Sequence, residues 1–324
     1  MTGSLHQVEV HRQIIPAKQE DQRTVLTIGA YDGVHKGHRS VISEVCRLAS
    51  EQDLRSAVVT FDRHPASVVR PESAPLLLTD LDQKLEQLAT TGIDLTLVVP
   101  FDQSRAKETA EEFIEEVLVN CLKVKHVVVG EDFHFGHQRL GNVALLQEAG
   151  KEHDFTVIGM DLVGLNGEPV RDHKQVSSTF IRQALGEGEL KKANDMLGRD
   201  YEVSGVVTAG DGRGKELGFP TANVRINSSI LLPADGVYAG WLELSDKSSH
   251  PTAISLGTRP HFYEDGDLLL EAHVLDFNRD LYGEQVRVRF TERLRSQKKF
   301  DNLEALLAQL NTDVQTTKQI MASK

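Results

Sequence analysis

Between residues 24 and 158, short apolar runs alternate with amphipathic segments, and this alternation limits the possible folds more than any other feature of the sequence. Each apolar run has the length of a strand buried on both faces, and the segments between them carry apolar residues at helical spacing. The predicted strands are Val25–Ile28, Ser56–Phe61, Leu95–Val99, His126–Gly130 and Phe155–Ile158. The predicted helices are Ser40–Leu48, a segment with Leu81, Leu85 and Leu88 that Thr79 caps, Ala110–Leu122 and Asn142–Ala149. This pattern predicts an α/β domain with a parallel sheet covered by helices.

Beyond residue 187 the pattern changes to strands separated by turn signals. Gly186–Glu189 has the composition of a turn and Leu190–Leu197 is a predicted short helix, after which helical periodicity returns only at Asn302–Leu310. The predicted strands of this region are Glu202–Val207, Gly236–Leu244, Thr252–Leu256, Leu268–Leu275 and Gln285–Phe290. A run of strands closed by one helix predicts a small antiparallel β-barrel. We therefore predict two domains, residues 1–186 and 187–324.

The charge balance argues against a general nucleic-acid-binding protein. The net charge is −12 over 324 residues, whereas affinity for a phosphate backbone comes from clustered Lys and Arg. A mononucleotide needs only a local positive pocket and is compatible with this charge. Cys46 and Cys121 lie in apolar helical contexts, which is typical of core residues. Without a signal pattern or an apolar run of membrane-spanning length, a cytoplasmic protein is expected, and its oligomeric state stays open.

The stretch Gly29–His38 lies between the first predicted strand and the first predicted helix. Its three glycines allow a tight turn and a close approach to a ligand. A helix start offers free N–H groups and the positive end of the helix dipole, which suits a phosphate. His35 and His38 bracket Gly37, so both imidazoles can face a ligand over the turn. A turn with two surface histidines is the alternative, but the strand–turn–helix context favours a phosphate site, although neither common phosphate-loop signature is present.

Three further stretches lie at predicted strand ends or at a helix start. Thr60–Pro65 carries a histidine, and Gly130–Gly136 places two phenylalanines between two glycines. Both are weak signals, because the first can be an ordinary loop that happens to carry a histidine, and the phenylalanines of the second can equally belong to the core. Ser177–Arg182 is a stronger signal, since its hydroxyls fall in the first turn of a helix and Arg182 adds a planar group suited to phosphate. On spacing alone, an anion site and an ordinary helix cap are about equally supported there.

The C-terminal region contains a glycine-rich basic loop, Gly210–Asn223, that could cradle a chain of phosphates. In an extended segment the oxygens of Thr221 and Asn223 would share one side, and such oxygens suit Mg²⁺. A flexible hairpin is the alternative. Further along, Glu271 shares one strand face with His273, and a carboxylate there could take a proton from an alcohol. A solvent-facing glutamate is the alternative, and it is the commoner case.

Taken together, these stretches resemble the bacterial bifunctional riboflavin kinase/FAD synthetases. Four motifs of their nucleotidyltransferase domain follow one another in the N-terminal half, namely Gly29–His38, Thr60–Pro65, Gly130–Gly136 and Ser177–Arg182. Motifs of their riboflavin kinase domain occur in the C-terminal half, namely Gly218–Asn223, Glu271–Phe277, Leu281–Gly283 and Leu294–Phe300. The resemblance covers nearly the whole chain and implies a Rossmann-like nucleotidyltransferase domain followed by a riboflavin kinase barrel.

The resemblance implies that the N-terminal domain uses ATP to adenylylate FMN, with FAD and pyrophosphate as products. His35 and His38 would be the catalytic residues that contact the ATP phosphates. The other implied ATP-binding residues are Gly29, Asp32, Gly37, Ser177, Ser178, Thr179 and Arg182. Asp132 and Phe133 would lie on the flavin or adenine side of the site.

For the C-terminal domain, the resemblance implies phosphorylation of riboflavin to FMN with ATP. Glu271 would be the catalytic base that activates the riboflavin 5′-hydroxyl, and Thr221 and Asn223 would hold Mg²⁺ together with ATP. The other implied ATP-binding residues are Gly210, Arg213, Gly214 and Lys215, and the implied flavin-binding residues are Gly218 and Arg295. The partners of the protein would then be the small molecules riboflavin, FMN and ATP.

The chain departs from the family pattern at a few positions. Asn142, Ser255, Leu256 and His261 stand where Asp, Asn, Ile and Thr are usual. None of them carries an implied catalytic role, so they bear on kinase efficiency and flavin affinity. Two alternatives stay open: a protein in which only the N-terminal nucleotidyltransferase is active, and a flavin-binding regulatory protein with degenerate sites. The presence of every implied catalytic residue argues against the second.

Overall fold

The computed structural model describes residues 8–161, 164, 168, 175–210, 213–257 and 268–324. The chain divides into two compact units, Met1–Ser177 and Ser178–Lys324. The domain boundary expected after residue 186 lies one helix further along the chain and stays a prediction. No helix in the described ranges is both long and apolar enough to span a membrane.

The first unit is built on a parallel sheet of six strands among the described residues, and this confirms the predicted class. Its strands are β1 (Glu9–His11), β2 (Thr24–Ile28), β3 (Arg55–Phe61), β4 (Leu95–Val99) and β5 (Val124–Gly130); a hairpin of β6 (His134–Phe135) and β7 (Gly141–Asn142) precedes the last strand, β8 (Thr156–Met160). The order across the sheet is β1-β4-β3-β2-β5-β8. The chain thus winds outward from β2 in one direction and later in the other. Ligands of such sheets bind at this switch point, beside the carboxyl end of β2.

Helices cover both faces of the sheet. They are α1 (Lys36–Glu51), α2 (Pro65–Val69), α3 (Leu81–Ala89), α4 (Ala110–Phe113) with the π-helix Ile114–Cys121, and α5 (Val143–His153), with short 3₁₀ turns at Pro71–Ser73, Arg105–Lys107 and His137–Arg139. On one face Val25 packs with Ile42 of α1, and on the other Leu26 packs in a core with Phe113 of α4. Neighbouring residues of β2 are therefore both buried, which explains why the predicted strands are apolar at successive positions.

The start of α3 differs from the prediction. Asp80 caps this helix, because its carboxylate accepts the Gln83 N–H at 2.8 Å and the Gln83 side chain accepts the Asp80 N–H at 3.2 Å. The Thr79 hydroxyl instead accepts the N–H of Gly33 at 3.1 Å. The prediction that Thr79 caps the helix was therefore wrong. Both residue types can cap a helix, and the reciprocal bond with a residue three positions on identifies which of them does.

The second unit begins with two helices and continues into a closed antiparallel barrel, as predicted. Its elements are α6 (Ser178–Gly186), α7 (Leu190–Leu197), β9 (Tyr201–Thr208), α8 (Arg213–Glu216), β10 (Ala222–Ile226), β11 (Gly236–Glu243), β12 (Ser249–Leu256), β13 (Leu268–Val274) and β14 (Gln285–Arg295). The barrel closes in the order β10-β13-β12-β11-β14-β9. Strand β10 was not predicted, because only Val224 and Ile226 alternate inward over its five residues.

The last helix, α9 (Leu303–Ala322), is longer than the predicted Asn302–Leu310. Its start agrees with the prediction, since the Asn302 side-chain oxygen accepts the Ala305 N–H at 2.8 Å. Beyond Leu310 the buried positions of the helix include Asp313 and Thr317. A helix that buries polar side chains has no clear apolar periodicity. Hydrophobic spacing therefore does not predict the second half of α9.

Candidate active sites

The glycine turn after β2 has a constrained backbone. Gly33 and Val34 adopt positive φ angles of 85° and 38°, and a left-handed conformation is unfavourable for a β-branched residue. The buried Asp32 carboxylate holds the turn, because it accepts the backbone N–H groups of Leu78 at 2.9 Å and of Thr79 at 3.1 Å. Asp32 therefore ties the turn to the segment before α3. Its contact with ATP stays a prediction.

The two histidines of the turn form a stacked pair. His35 caps α1 by accepting the His38 N–H on its Nδ1 at 3.3 Å. The two ring centroids are 3.6 Å apart and the ring planes are inclined by 17°. Burial lowers the pKa of His38 well below its usual value, and the neighbouring charges of His35 and Lys84 lower it further. His38 is therefore neutral near pH 7, and its buried Nδ1 has no hydrogen-bond partner among the described residues.

The space over the turn is narrow at Gly37. A Cβ atom at this position would lie 3.0 Å from the carbonyl oxygen of Val176 and 3.2 Å from the His35 ring. The residue before Ser177 therefore lies directly against the histidine turn, and a side chain at position 37 would require its neighbours to shift by a few tenths of an ångström. Gly29, at the start of the turn, donates its N–H to the Val59 carbonyl at 3.0 Å.

The implied ATP-binding residues of the Ser177–Arg182 stretch fall on both sides of the unit boundary. Ser177 is the last residue of the first unit, and Ser178 begins both the second unit and α6. Thr179 is exposed and Arg182 is half-buried on that helix. The helix start expected from the sequence is confirmed, whereas the contact of these side chains with the ATP phosphates stays a prediction.

The loop after β5 carries the residues predicted on the flavin side. Asp132 is exposed. The rings of Phe133 and Phe135 stack with their centroids 5.4 Å apart and their planes inclined by 13°. Phe135 belongs to the core, while Phe133 packs against that core and keeps part of its ring accessible. Of the two phenylalanines, Phe133 is thus the one that could meet a planar ligand.

A buried lysine, which sequence reasoning missed, joins the two loops at the carboxyl edge of the sheet. Lys84 of α3 donates from its Nζ to the carbonyl oxygens of Ala30, at 3.3 Å, and of Phe61, at 2.7 Å. Ala30 belongs to the histidine turn, and Phe61 ends β3 just before the loop with His64. A pocket lies at this edge, lined by Ala30, Asp32, Asp62, Arg63, His64, Leu77, Thr79, Leu81 and Lys84. The sequence feature that could have indicated this buried lysine is its position on the apolar side of the amphipathic helix α3.

The kinase candidates of the second unit meet across neighbouring strands. Glu271 of β13 is paired in register with Asn223 of β10 on one side and with Ser255 of β12 on the other. Residues opposite each other in an antiparallel pair share one face of the sheet. Leu270 and Ala272, which flank Glu271, are fully buried inside the barrel, so Glu271, Asn223 and Ser255 share the opposite face.

The glycine-rich loop packs onto the Thr221–Asn223 segment. A Cβ at Gly210 would lie 2.0 Å from the Asn223 amide nitrogen, and a Cβ at Gly214 would lie 3.3 Å from the Thr221 hydroxyl. The loop contains the short helix α8, so it is not simply a flexible hairpin. Gly218 has a positive φ of 84° and open space around it. The side chains of Arg213 and Lys215 lie outside the described part of the structure.

We expect Gly210→Ala to lower the rate of riboflavin phosphorylation by about 100-fold, because a displacement of about 1 Å at a catalytic group has that effect. The added methyl group can fit only if the Asn223 side chain or the loop moves. The measurement is the initial rate of FMN formation from riboflavin and ATP. Gly186→Ala is the matched control, since a Cβ there meets nothing within 4 Å. Equal rates for both variants would contradict a tight fit at Gly210.

His273 is a second residue that the sequence did not single out for this site. Its Nδ1 lies 2.7 Å from the carbonyl oxygen of Pro220, to which it donates when it carries the proton. Its ring also contacts Phe219 edge-on, with centroids 5.6 Å apart. Glu271 and His273 share one strand face, so His273 anchors the segment that leads into Thr221 beside the candidate base. The Glu-x-His pattern in the sequence was the available signal.

Arg295 ends β14 and is held by the C-terminal helix. Its guanidinium donates to the Asp313 carboxylate in a bidentate arrangement, at 2.7 Å from Nη2 and 3.1 Å from Nε. Asp313 is buried and also accepts a hydrogen bond from Gln309 at 2.8 Å. The position of Arg295 is therefore fixed from α9, and its predicted contact with the flavin stays a prediction.

Three of the four departures from the family pattern have defined places in the structure. Asn142 caps α5, since its side-chain oxygen accepts the Leu145 N–H at 3.0 Å, a role that Asp fills equally well. Ser255 lies beside Glu271 and accepts a hydrogen bond from the Gln297 side chain at 3.0 Å. Leu256 is a core residue of the barrel. The fourth departure, at His261, lies outside the described residues.

The sequence matches two protein-family models that together cover almost the whole chain. The FAD synthetase model matches residues 17–202, and the riboflavin kinase model matches residues 197–321. The first match contains both histidines of the glycine turn, and the second contains the glycine-rich loop and Glu271. All strands of the parallel sheet except β1 thus lie within the FAD synthetase match, and the barrel strands lie within the riboflavin kinase match. The two matches meet near residue 200, two helices beyond the unit boundary at Ser177.

Curated relatives match this chain over nearly its whole length and over nearly their own. A bifunctional riboflavin kinase/FMN adenylyltransferase of Listeria monocytogenes is 35% identical over 317 residues, which are 97% of this chain and 98% of the relative. Its counterpart in Escherichia coli K12 is 37% identical over 295 residues, 91% of this chain and 92% of the relative. The Bacillus subtilis counterpart is 33% identical and covers 96% of both chains.

A solved structure shows the same fold along the chain. It is a crystal structure from Streptococcus pneumoniae, described as a macrolide-efflux protein, with a TM-score of 0.81, 28% sequence identity, and coverage of 96% of this chain and 99% of that one. The family models and the curated relatives agree over more than nine tenths of the chain. The chain therefore belongs to the bifunctional riboflavin kinase/FMN adenylyltransferase family, in which an FAD synthetase part is followed by a riboflavin kinase part.

Proposed function

We propose that this protein carries out both reactions of its family: phosphorylation of riboflavin to FMN in the barrel, and adenylylation of FMN to FAD in the α/β unit. The observation that supports the proposal is that one chain contains two separate glycine-rich turns, each next to candidate reactive side chains. One is the His35–His38 turn at the switch point of the sheet. The other is the glycine-rich loop beside the Asn223–Glu271 pair.

In the kinase site, the Glu271 carboxylate accepts the proton of the riboflavin 5′-hydroxyl as that oxygen attacks the γ-phosphorus of ATP. The bond to the β-phosphate oxygen breaks, and ADP leaves. Backbone groups of the glycine-rich loop bind the phosphate chain, and the close approach at Gly210 keeps them next to Asn223. Gly218 and Arg295 lie on the flavin side, where Asp313 fixes the guanidinium.

The donor atoms beside Glu271 fit a magnesium ion. Thr221 supplies a hydroxyl oxygen and Asn223 an amide oxygen, and Mg²⁺ prefers oxygen ligands shared with substrate phosphates. Neither residue is a His, Cys, Asp or Glu, and among the described residues no cluster of three such side chains exists that would form a protein-only metal cage. Thr221 and Asn223 would therefore hold the ion together with ATP, where it offsets phosphate charge.

In the α/β unit, the phosphate of FMN attacks the α-phosphorus of ATP and pyrophosphate leaves, so no protein nucleophile is required. The site has to align two anionic substrates and stabilise charge on the transferring and leaving phosphates. His35 and His38 contact the phosphates from the turn, and the hydroxyls and guanidinium of Ser177–Arg182 are the further phosphate ligands that the family resemblance implies. Asp132 and Phe133 take the flavin or adenine side. A neutral His38 offers a hydrogen bond without an added charge.

The proposed setting is the cytoplasm, with riboflavin, FMN and ATP as partners and no nucleic acid. We expect the purified chain, incubated with riboflavin, ATP and Mg²⁺, to form FMN first and FAD later, as resolved by chromatography. FAD from supplied FMN without any FMN from riboflavin would restrict the activity to the N-terminal unit. Flavin binding without either product would contradict the proposal and indicate a regulatory protein.

A further inference from the structure

Among the described residues of the first unit, Lys84 is the buried cationic side chain that the two reactions do not yet use. Its side chain is buried, with 7% of its surface exposed. Burying an ammonium group in a protein is unfavourable unless partners compensate for the lost hydration. Two carbonyl oxygens, of Ala30 and Phe61, use two of its three N–H donors. Lys84 is also one of the residues that line the pocket at this edge of the sheet.

The carbonyls that Lys84 binds belong to the two loops that flank this pocket. Ala30 lies in the histidine turn, and its carbonyl oxygen also accepts the Thr60 hydroxyl at 3.2 Å. Phe61 leads into the loop whose His64 caps α2 by accepting the Ala66 N–H on its Nδ1 at 3.1 Å. Through these two hydrogen bonds, the Lys84 ammonium group links the loop after β2 to the loop after β3 at the carboxyl edge of the sheet.

The charges around the pocket are balanced only when Lys84 is protonated. Asp32 faces Lys84 from the turn after β2, and Asp62 and Arg63 face it from the loop after β3. His38 of α1 also feels its charge. Leaving His64 aside, the lining carries two carboxylates and two cations. Loss of the Lys84 proton would leave this lining with a net negative charge, and a phosphate-bearing substrate would be repelled.

We propose that Lys84 is a positioning residue of adenylyl transfer, whose charge holds the two loops together and keeps the pocket between them accessible to a phosphate-bearing substrate. The inference rests on the proposed synthesis of FAD by the first unit. Lys84 acts through the loops and through the charge balance, and the phosphoryl chemistry itself is left to the groups already described.

Titration of Lys84 gives the inference a signature that a purely structural lysine would lack. Burial lowers the pKa of Lys84 to about 8, and the nearby carboxylates of Asp32 and Asp62 limit that decrease. Its ordinary value is 10.5, so between these values the unfolded chain binds more protons than the folded one. The stability of the first unit should therefore rise with pH across this window, while the affinity for an anionic substrate falls.

The experiment measures initial rates of FAD formation from FMN and ATP by the full chain, from about pH 6.5 to about pH 9.5. This range begins near the ordinary histidine pKa and ends below the ordinary lysine pKa. We expect KM for FMN or for ATP to rise by about tenfold, with a midpoint near pH 8, because the loss of one positive charge beside the pocket weakens the binding of an anionic substrate by roughly a factor of ten. Riboflavin phosphorylation by the same chain at each pH is the internal control. A KM for both substrates that stays flat through this range would overturn the inference.

Variants separate the charge from the hydrogen bonds. Lys84→Gln retains N–H donors but has no charge. We therefore expect its KM to be raised already at neutral pH and to rise no further up to about pH 9, which is still below the ordinary lysine pKa. Lys84→Arg keeps its charge throughout and should lose the alkaline rise. Lys151→Gln, on the exposed side of α5, is the matched control. If Lys84→Gln bound both substrates as the parent chain does, the inference would be wrong; if Lys84→Arg did not fold, the parent pH profile and Lys84→Gln would still decide.

The outcome also separates this inference from the function on which it rests. A parent chain that forms no FAD at any pH would overturn both. A chain that forms FAD with a pH-independent KM would leave adenylyl transfer in place and remove only the role of Lys84. Thermal unfolding followed across the same pH range adds a second readout, since a structural lysine alone predicts rising stability with unchanged KM.

Discussion

Glu271→Gln is expected to lower the rate of FMN formation by about 10²–10⁴-fold, because the amide cannot accept the proton of the riboflavin hydroxyl. The substitution keeps the size of the side chain, so the pairing of this position with Asn223 and Ser255 is retained. The measurement is the initial rate of riboflavin phosphorylation at saturating ATP and Mg²⁺. Unchanged KM values for both substrates would show that binding is preserved while the chemical step is lost.

The chain supplies two controls for this variant. FAD formation from supplied FMN reports on the other unit and should be unaffected. Glu292→Gln makes the same change at an exposed position of β14 and should leave both activities intact. FMN production by Glu271→Gln at the rate of the parent chain would show that another group is the base.

His38→Ala is expected to slow FAD formation from FMN by about 10²–10³-fold, the effect of removing one preorganised donor from a charge-stabilising site. The substitution removes the ring that stacks on His35 at 3.6 Å, so the remaining imidazole also loses its support. The measurement is the initial rate of FAD and pyrophosphate release from FMN and ATP. FMN formation from riboflavin should continue at the parent rate.

His153→Ala is the matched control for the histidine. His153 lies in the last turn of α5, just before β8, and is therefore at the amino edge of the sheet, opposite the glycine turn. Its neighbour Asp154 pairs with Arg23 and Lys125 at that edge. If His38→Ala formed FAD as fast as His153→Ala, the turn would bind no reacting phosphate, and the assignment of the first site would have to be given up.

The architecture of both units could be predicted from the sequence because buried positions are occupied by apolar residues, and their spacing differs between the two units. The strands of the first unit are apolar at successive positions, since helices cover both of their faces, and this pattern indicates a parallel sheet. The barrel strands alternate instead, as Val286, Val288 and Phe290 show. Resemblance then supplied the chemical roles, which alternation and spacing alone could not assign.

Other features depend on which segments become neighbours, and a linear pattern does not contain that information. Alternation places Glu271 on one face of its strand, but only the register of β10 with β13 brings it opposite Asn223. Lys84 was missed because lysine is usually exposed, so its place on the apolar side of α3 had no obvious meaning. Likewise, the ion pair of Arg295 with Asp313 depends on the packing of α9 against the barrel, which the sequence pattern does not predict.

The order of the two units along the chain has a consequence for the order in which the protein acquires its activities. The kinase centre exists only after β10, β12 and β13 of the second unit have paired. The His35–His38 turn belongs to the N-terminal unit, which leaves the ribosome first, and domains generally fold in that order during synthesis. The catalyst of the second reaction is thus the first to fold, so a nascent chain acquires its two activities in the reverse of the order in which the flavin meets them.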